Sequence, residues 1–228
     1  MRAMILAAGR GKRLRPLTDE LPKPLIKIAG KSLIEYHLEN LANAGIKDIV
    51  INTAWLAEKF HQQLGDGSNY GVSIQYSDEN EAMETAGGII NALPLLGDGP
   101  FAVINGDIWC DFDFSSLPEL DTTVQAHLVL IANPEHNQTG DFALQDNLIK
   151  NNGTDMYTFS GIGIYRAEFF ADQKSGISPL APLIRKKCGD NLVSGQIHPG
   201  MWTDVGTIER LQELEIQLES QLETQPGK

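Results

Sequence analysis

The 228 residues carry 42% apolar and 21% charged side chains, which is ordinary for a folded globular chain and excludes a disordered or fibrous one. The net charge of −12 argues against a nucleic-acid partner, whose phosphates most of this surface would repel. No apolar run approaches the roughly 20 residues of a membrane helix. The opening "MRAMILAAG" imitates a secretion signal, but its apolar core is only about six residues and more basic residues follow it. It reads as a strand, and the chain is expected to be cytoplasmic. Cys110 and Cys188 have no metal-ligand spacing and read as reduced thiols. The histidines at 37, 61, 127, 136 and 198 are scattered and match no ligand pattern.

The elements alternate along the first half. "RAMILAA" (2–8) is an aliphatic run expected to be a buried strand, as are "KDIVINTA" (47–54), "VSIQYS" (72–77) and "PFAVINGDI" (100–108). Between them fall helices at 32–45, stopped by Gly45, at 55–64, and at 85–96. This βαβαβαβ order implies a right-handed, mainly parallel sheet covered on both faces. In the second half 123–133 reads as a strand, 141–154 as a hairpin with polar turns, 158–170 as a strand and 178–189 as a helix. "MWTDVGT" (201–207) leads into an amphipathic helix at 207–222, with Ile208, Leu211, Leu214, Leu218 and Leu222 near one stripe. That stripe suits packing on its own domain or a weak dimer contact, so a monomer or weak homodimer is expected. Nothing repeats and no linker precedes the tail, which predicts one α/β domain with a Rossmann-like mixed sheet flanked by helices.

Charge is not spread evenly. Residues 10–31 hold seven Lys/Arg and two acids, a net +5 on a remainder of net −17. A basic segment directly after the first strand lies where open α/β sheets bind their ligands, beyond the carboxyl ends of the strands. Ala7, Ala8, Gly9 and Gly11 let backbone N–H groups approach a phosphate, and Arg13 and Lys23 can neutralise it. Walker A does not fit, because the spacing is wrong and the hydroxyl is missing. The dinucleotide fingerprint fails at Leu14, which stands where its third glycine belongs. A small anionic ligand is therefore expected. Asp107 in "AVINGD" and Asp204 in "MWTDVGT" suit a hard divalent ion such as Mg²⁺, which takes one or two carboxylates plus phosphate oxygens.

The string "LAAGRGKRLRPLTDELPKP" (6–24) resembles the signature of the sugar-1-phosphate nucleotidyltransferases, LAAGxGxRLxPLTxxxPKP, departing mainly at Lys12, where many members carry Thr or Ser. The resemblance implies the nucleotidyltransferase fold, with a nucleotide-binding half at 1–110 and a sugar-binding half plus C-terminal helix at 111–228. It implies that Ala7, Ala8, Gly9, Gly11, Lys12, Arg13, Lys23, Glu84, Thr85 and Gly87 bind the nucleotide, with Arg13 and Lys23 catalytic. Asp107 and Asp204 would hold Mg²⁺, and Asn105, Gly140, Ser160 and Gly161 would contact the sugar. Arg13 would stabilise leaving pyrophosphate and Lys23 the α-phosphate region. An ionised phosphate is the nucleophile, so no general base is required, in keeping with the lack of a His or Cys nucleophile arrangement.

The family's usual VEKP element, whose Glu grips sugar hydroxyls, is replaced by "NPEHNQTGDFAL" (133–144). With "INTAWLAE", "METAGGI", "INGDIWCDFDF", "FSGIGIY", "LAPLIR" and "WTDVGT", the whole chain most closely resembles the N-acetylmuramate α-1-phosphate uridylyltransferases of peptidoglycan recycling. That implies UTP and a sugar 1-phosphate as partners, and the lactyl carboxylate of the sugar would suit a site without that Glu. The alternatives are mannose-1-phosphate guanylyltransferase, glucose-1-phosphate uridylyl- or thymidylyltransferase, and a non-catalytic sugar-nucleotide sensor. The last has no need of both metal carboxylates.

Overall fold

The computed structural model describes residues 1–79 and 81–224. Its first half runs β1 (Arg2–Leu6), α1 (Leu17–Glu20), β2 (Lys27–Ile28), β3 (Lys31–Ser32), α2 (Leu33–Asn43), β4 (Asp48–Thr53), α3 (Ala57–Leu64), β5 (Ser73–Asp78), α4 (Glu84–Leu96), β6 (Phe101–Asn105) and β7 (Ile108–Cys110). The second half adds β8 (Ala126–Ile131), β9 (Phe142–Gln145), β10 (Leu148–Lys150), β11 (Met156–Tyr165), α5 (Leu180–Gly189), β12 (Val193–His198), β13 (Trp202–Asp204) and α6 (Ile208–Thr224).

Nine strands form one sheet in the order β5-β4-β1-β6-β11-β8-β12-β10-β9. The first four are parallel neighbours, and β11 then runs antiparallel between β6 and β8. Ala3, Met4 and Ile5 of β1 are fully buried, because helices cover both faces of this strand. That explains why β1 reads as an unbroken apolar run instead of an alternating one. One core lies against α2 and α3, built on Leu38, Leu41 and Phe60, and another lies against α4 and α5, built on Ile89, Phe101 and Ile184. From β1 the chain turns to β4 on one side, and β6 lies on the other. The carboxyl ends of β1 and β6 therefore open at a topological switch point.

Local chemistry fixes the helix ends. Ser32 and Glu35 form a capping box at α2, with the Glu35 carboxylate accepting from the Ser32 N–H at 2.7 Å. Gly45, at φ 78°, ends the same helix in the left-handed conformation, and Ile46 N–H returns to Leu41 C=O. On α6, Leu211, Leu214 and Leu218 are buried against Leu14, Ile26, Ile28, Leu33, Trp109 and Val205. The apolar stripe thus clamps the basic loop onto its own domain, although the Leu222 side chain and the tail from 225 lie outside the described residues.

Two expectations change. The strand at 158–170 ends at Tyr165, and 167–170 is a 3-10 turn. β12 was not expected at all, because its sequence "VSGQIH" mixes polar residues with a glycine. Gly195 is small for a reason: a side chain there would meet Ile149 Cδ1 at 2.3 Å, so β10 packs where a Cβ would stand.

His37, on the buried face of α2, is driven down from 6.5 to about 4 by burial, opposed by a hydrogen bond to the Ile108 backbone and by the Asp107 charge. The folded imidazole is neutral, so its contribution is complete above pH 6.5 and is lost as pH falls towards 4, by up to roughly 3 kcal/mol. Chemical denaturation at pH 7.5 and pH 4.5 should show a larger loss for the wild type than for His37→Gln. Equal losses would contradict this.

Candidate active site

A cavity of about 450 Å³ opens at the switch point between β1 and β6. Ala7, Ala8, Gly9, Gly11, Lys12, Arg13 and Lys23 line one side of it. Glu84 and Thr85 close one end, and Asn105 and Asp107 face the loop from the end of β6.

The loop is built to stay open. Gly11 is left-handed at φ 58°, and a Cβ there would meet Thr18 Cγ2 at 2.9 Å, so glycine is required twice over. Thr18 Oγ1 donates to the Gly11 carbonyl at 2.9 Å, closing the turn. Pro22 and Pro24 flank Lys23 at a 3-10 turn, and the Lys23 side chain is buried with its Nζ 2.7 Å from Asp107 Oδ2. Arg10 stacks over Trp55 at 5.1 Å, and Arg15 pairs in solvent with Asp19. Lys12 and Arg13 have no side-chain partner among the described residues, which leaves their charges for a ligand.

At the Glu84 end, sequence reasoning passes over two residues. Asn52 Oδ1 accepts from Ala7 N–H at 2.9 Å, and Asn52 Nδ2 donates to Glu79 Oε1 at 2.7 Å. The other Glu79 oxygen accepts from Met83 N–H at 3.0 Å. This buried relay ties the first loop to the start of α4. Gly88 leaves room for it, since a Cβ there would lie 2.7 Å from both Asn52 and Glu79. Glu84 takes φ 62°, which an L side chain adopts at a cost of about 1–3 kcal/mol and which glycine adopts freely. Gly87, expected at the nucleotide, does not line the cavity. It packs instead on the loop of α5, where a Cβ would strike the Gly176 carbonyl at 2.2 Å.

The sugar-side expectations divide in the same way. Asn105 lines the cavity, and Gly161, at φ 85° in the β11 bulge, leaves room for its side chain. Ser160 is buried and spent inside the fold, donating to Val129 C=O at 2.7 Å and accepting from Ile162 N–H. Gly140 serves a turn at φ 67°, with Asn133 Oδ1 and Tyr157 N where a side chain would go. Neither Ser160 nor Gly140 lines the cavity.

The two aspartates are brought to one place by a short ladder. Asp204 on β13 is registered with Ile108 on β7, and Val205 N–H donates to the Asp107 carbonyl at 2.9 Å. Trp202 Nε1 donates to the Ser160 carbonyl at 2.8 Å, fixing β13 to the bulge. Each carboxylate has a cationic partner, Lys23 for Asp107 and Arg210 for Asp204, and His136 Nε2 lies 3.0 Å from the Asp204 carboxylate. Arg210 and His136 are the other residues the sequence did not reveal. Asp204 does not itself line the cavity, but Asp107 just before β7 and Asp204 on β13 offer carboxylate oxygens of the kind a hard divalent ion takes. Elsewhere the fold gathers Cys110, Asp111 and His198, which no sequence spacing announced. Burial pushes the Cys110 thiol up to about 12, and His198 Nε2 sits 2.7 Å from Asp111 Oδ1 as an ordinary polar pair.

Comparison with known proteins agrees with this geometry. The chain is 53% identical over 225 residues to the N-acetylmuramate α-1-phosphate uridylyltransferase of Neisseria meningitidis serogroup B, covering 93% of this chain and 96% of that one. It is 34% identical over 220 residues to the enzyme of the same name from Caulobacter vibrioides, covering 90% and 91%. The fold matches a Bacillus anthracis protein described as a glucose-1-phosphate thymidylyltransferase, with TM-score 0.84 at 24% identity over 95% and 94% of the two chains. The family model for nucleotidyl transferases matches residues 2–142, and this chain belongs to that family.

Proposed function

We propose that this protein transfers the uridylyl group of UTP to N-acetylmuramic acid α-1-phosphate, giving UDP-N-acetylmuramic acid and pyrophosphate. The observation that carries the chemistry is the buried Lys23 ammonium held on Asp107 at the mouth of the switch-point cavity. The sugar and base rest on the two relatives named for that reaction, which align along nearly the whole chain. A single sheet runs through both halves, which supports reading the chain as one catalytic unit.

A phosphate oxygen of the sugar attacks the α-phosphorus in line. The new P–O bond forms as the bond to the β-phosphate bridging oxygen breaks, and pyrophosphate leaves. Both reactants are anions, so the protein's work is positioning and neutralisation. Arg13 and Lys12, which have no partner among the described residues, take the β- and γ-phosphates that depart. Lys23 passes from Asp107 to the α-phosphate, the nearest anion once the nucleotide fills the loop. The backbone of Ala7–Gly9 and the Glu84–Thr85 turn bound the nucleotide, and Asn105 faces the sugar. Asp107 and Asp204 would hold Mg²⁺, which supplies positive charge to both phosphate groups when bound. Among the described residues no helix is long and apolar enough to cross a membrane. The reading places the reaction in the cytoplasm, where UTP is found, in the recycling of peptidoglycan sugars.

Pyrophosphate release across four nucleoside triphosphates and a panel of sugar 1-phosphates should be fastest with UTP and N-acetylmuramic acid 1-phosphate. Preference for GTP with mannose 1-phosphate would overturn the substrate assignment. Asp107→Asn keeps an acceptor for Lys23 and should fold, yet lose at least about a hundredfold in kcat, consistent with removal of one transition-state charge contact. Lys23→Met should do the same. Normal turnover by either variant at saturating Mg²⁺ would contradict the mechanism.

A further inference from the structure

The Arg210 guanidinium is in an unusual place. It stands on the first turn of α6, where the helix dipole disfavours a cation, in a helix otherwise rich in acids. It is paired with Asp204 and lies 3.3 Å from His136 Nε2, on the loop between β8 and β9. That loop is itself braced: Asn133 donates to the Gln138 and Met156 carbonyls, and Asn137 donates to Asp141 and Thr158. Gly206 supplies the second observation. Its φ lies outside the left-handed range that would demand glycine, yet a Cβ there would meet Arg210 Nη2 at 2.6 Å and Asp204 Oδ2 at 2.9 Å. Gly206 also lines the cavity. Neither Arg210 nor Asp204 lines the cavity itself, but the missing Gly206 side chain leaves both of them directly behind its wall.

We infer that Arg210, steadied by His136, binds the 1-phosphate of the sugar substrate. This rests on the uridylyltransferase reading above. The cations of the first loop face the triphosphate, and Lys23 belongs to Asp107. The nucleophilic phosphate, itself an anion, needs a counter-charge on the opposite side of the cavity mouth. Arg210 is the cation paired with Asp204 there, with the His136 ring against its guanidinium. Asp204 holds the guanidinium in place. Once the substrate phosphate arrives, Arg210 offers it a planar fork of N–H donors. Arg210 is thus a substrate-binding contact to the sugar phosphate.

The test is a steady-state comparison of wild type, Arg210→Ala and Arg210→Lys with N-acetylmuramic acid 1-phosphate and UTP. It is combined with Mn²⁺ binding by electron paramagnetic resonance and with inhibition by inorganic phosphate. The expected result for Arg210→Ala is a KM for the sugar phosphate raised at least tenfold, with the KM for UTP and the Mn²⁺ affinity within threefold of wild type. Arg210→Lys should recover part of the loss. Inorganic phosphate should compete with the sugar phosphate in the wild type and much more weakly in Arg210→Ala. An unchanged sugar KM, or a loss matched by weakened Mn²⁺ binding, would overturn the inference and leave Arg210 as a support for Asp204. Equal inhibition by phosphate in wild type and variant would also overturn it, assigning Arg210 to another part of the sugar. A wild-type enzyme inactive on every sugar 1-phosphate would instead defeat the uridylyltransferase reading itself.

Discussion

The ion pair between Lys23 and Asp107 is the contact on which the rest of the site depends. The lysine is 5% exposed, and an ammonium so placed needs an acceptor and is most stable with an anion against it. Breaking a fully buried pair costs about 3–5 kcal/mol, and less here, since the Asp107 side chain is 42% exposed. The exposure is lopsided, and that has a consequence: the lysine is fixed by its surroundings while the carboxylate remains open to another cation. Pro22 and Pro24 limit the freedom of the backbone that carries the ammonium. The loop is held from below by α6, whose leucines pack on Leu14 and Ile26.

A second carboxylate–cation pair, Asp204 with Arg210, stands beside the first because β13 and β7 are zipped together. The empty cavity is thus internally neutralised at its mouth, with one cation from the first half of the chain and one from the last helix. Under the proposed mechanism binding would exchange partners, so that neither cation is left unpaired when its carboxylate is engaged elsewhere. The body is strongly acidic, while Lys12 and Arg13 leave positive charge at one edge of the sheet, which under the proposed function would draw a small triphosphate there. The other two arginines of the loop are accounted for otherwise, Arg10 on Trp55 and Arg15 with Asp19.

Much of this was legible in the sequence because it is local. The first loop is contiguous, so its glycines, prolines and basic residues announce themselves, and Asp107 and Asp204 fall at the ends of short apolar runs. The parallel, helix-covered sheet of the first half follows from alternation, whereas its strand order β5-β4-β1-β6 does not. Contacts between distant segments were not legible. Asn52 and Glu79 look like ordinary polar residues until β4 and β5 set them beside Ala7. Arg210 looks like one charge on a solvated helix until the β7–β13 ladder brings Asp204 to it. β12 hides its strand character behind Gly195, which packing requires and propensity disfavours. Gly87, Gly140 and Ser160 are small residues in motif-like strings whose smallness or hydroxyl also serves packing, a turn and a bulge, which the sequence does not announce.

The central claim is that the Lys23–Asp107 pair is a resting contact that ligand binding dissolves. A crystal structure of the wild-type protein with Mg²⁺ and a non-hydrolysable UTP analogue tests it most directly. The account predicts Lys23 Nζ on a nucleotide phosphate oxygen, out of hydrogen-bond reach of Asp107, with the Asp107 carboxylate turned to the metal. A nucleotide-bound structure in which Lys23 Nζ still sits 2.7 Å from Asp107 Oδ2 would contradict it.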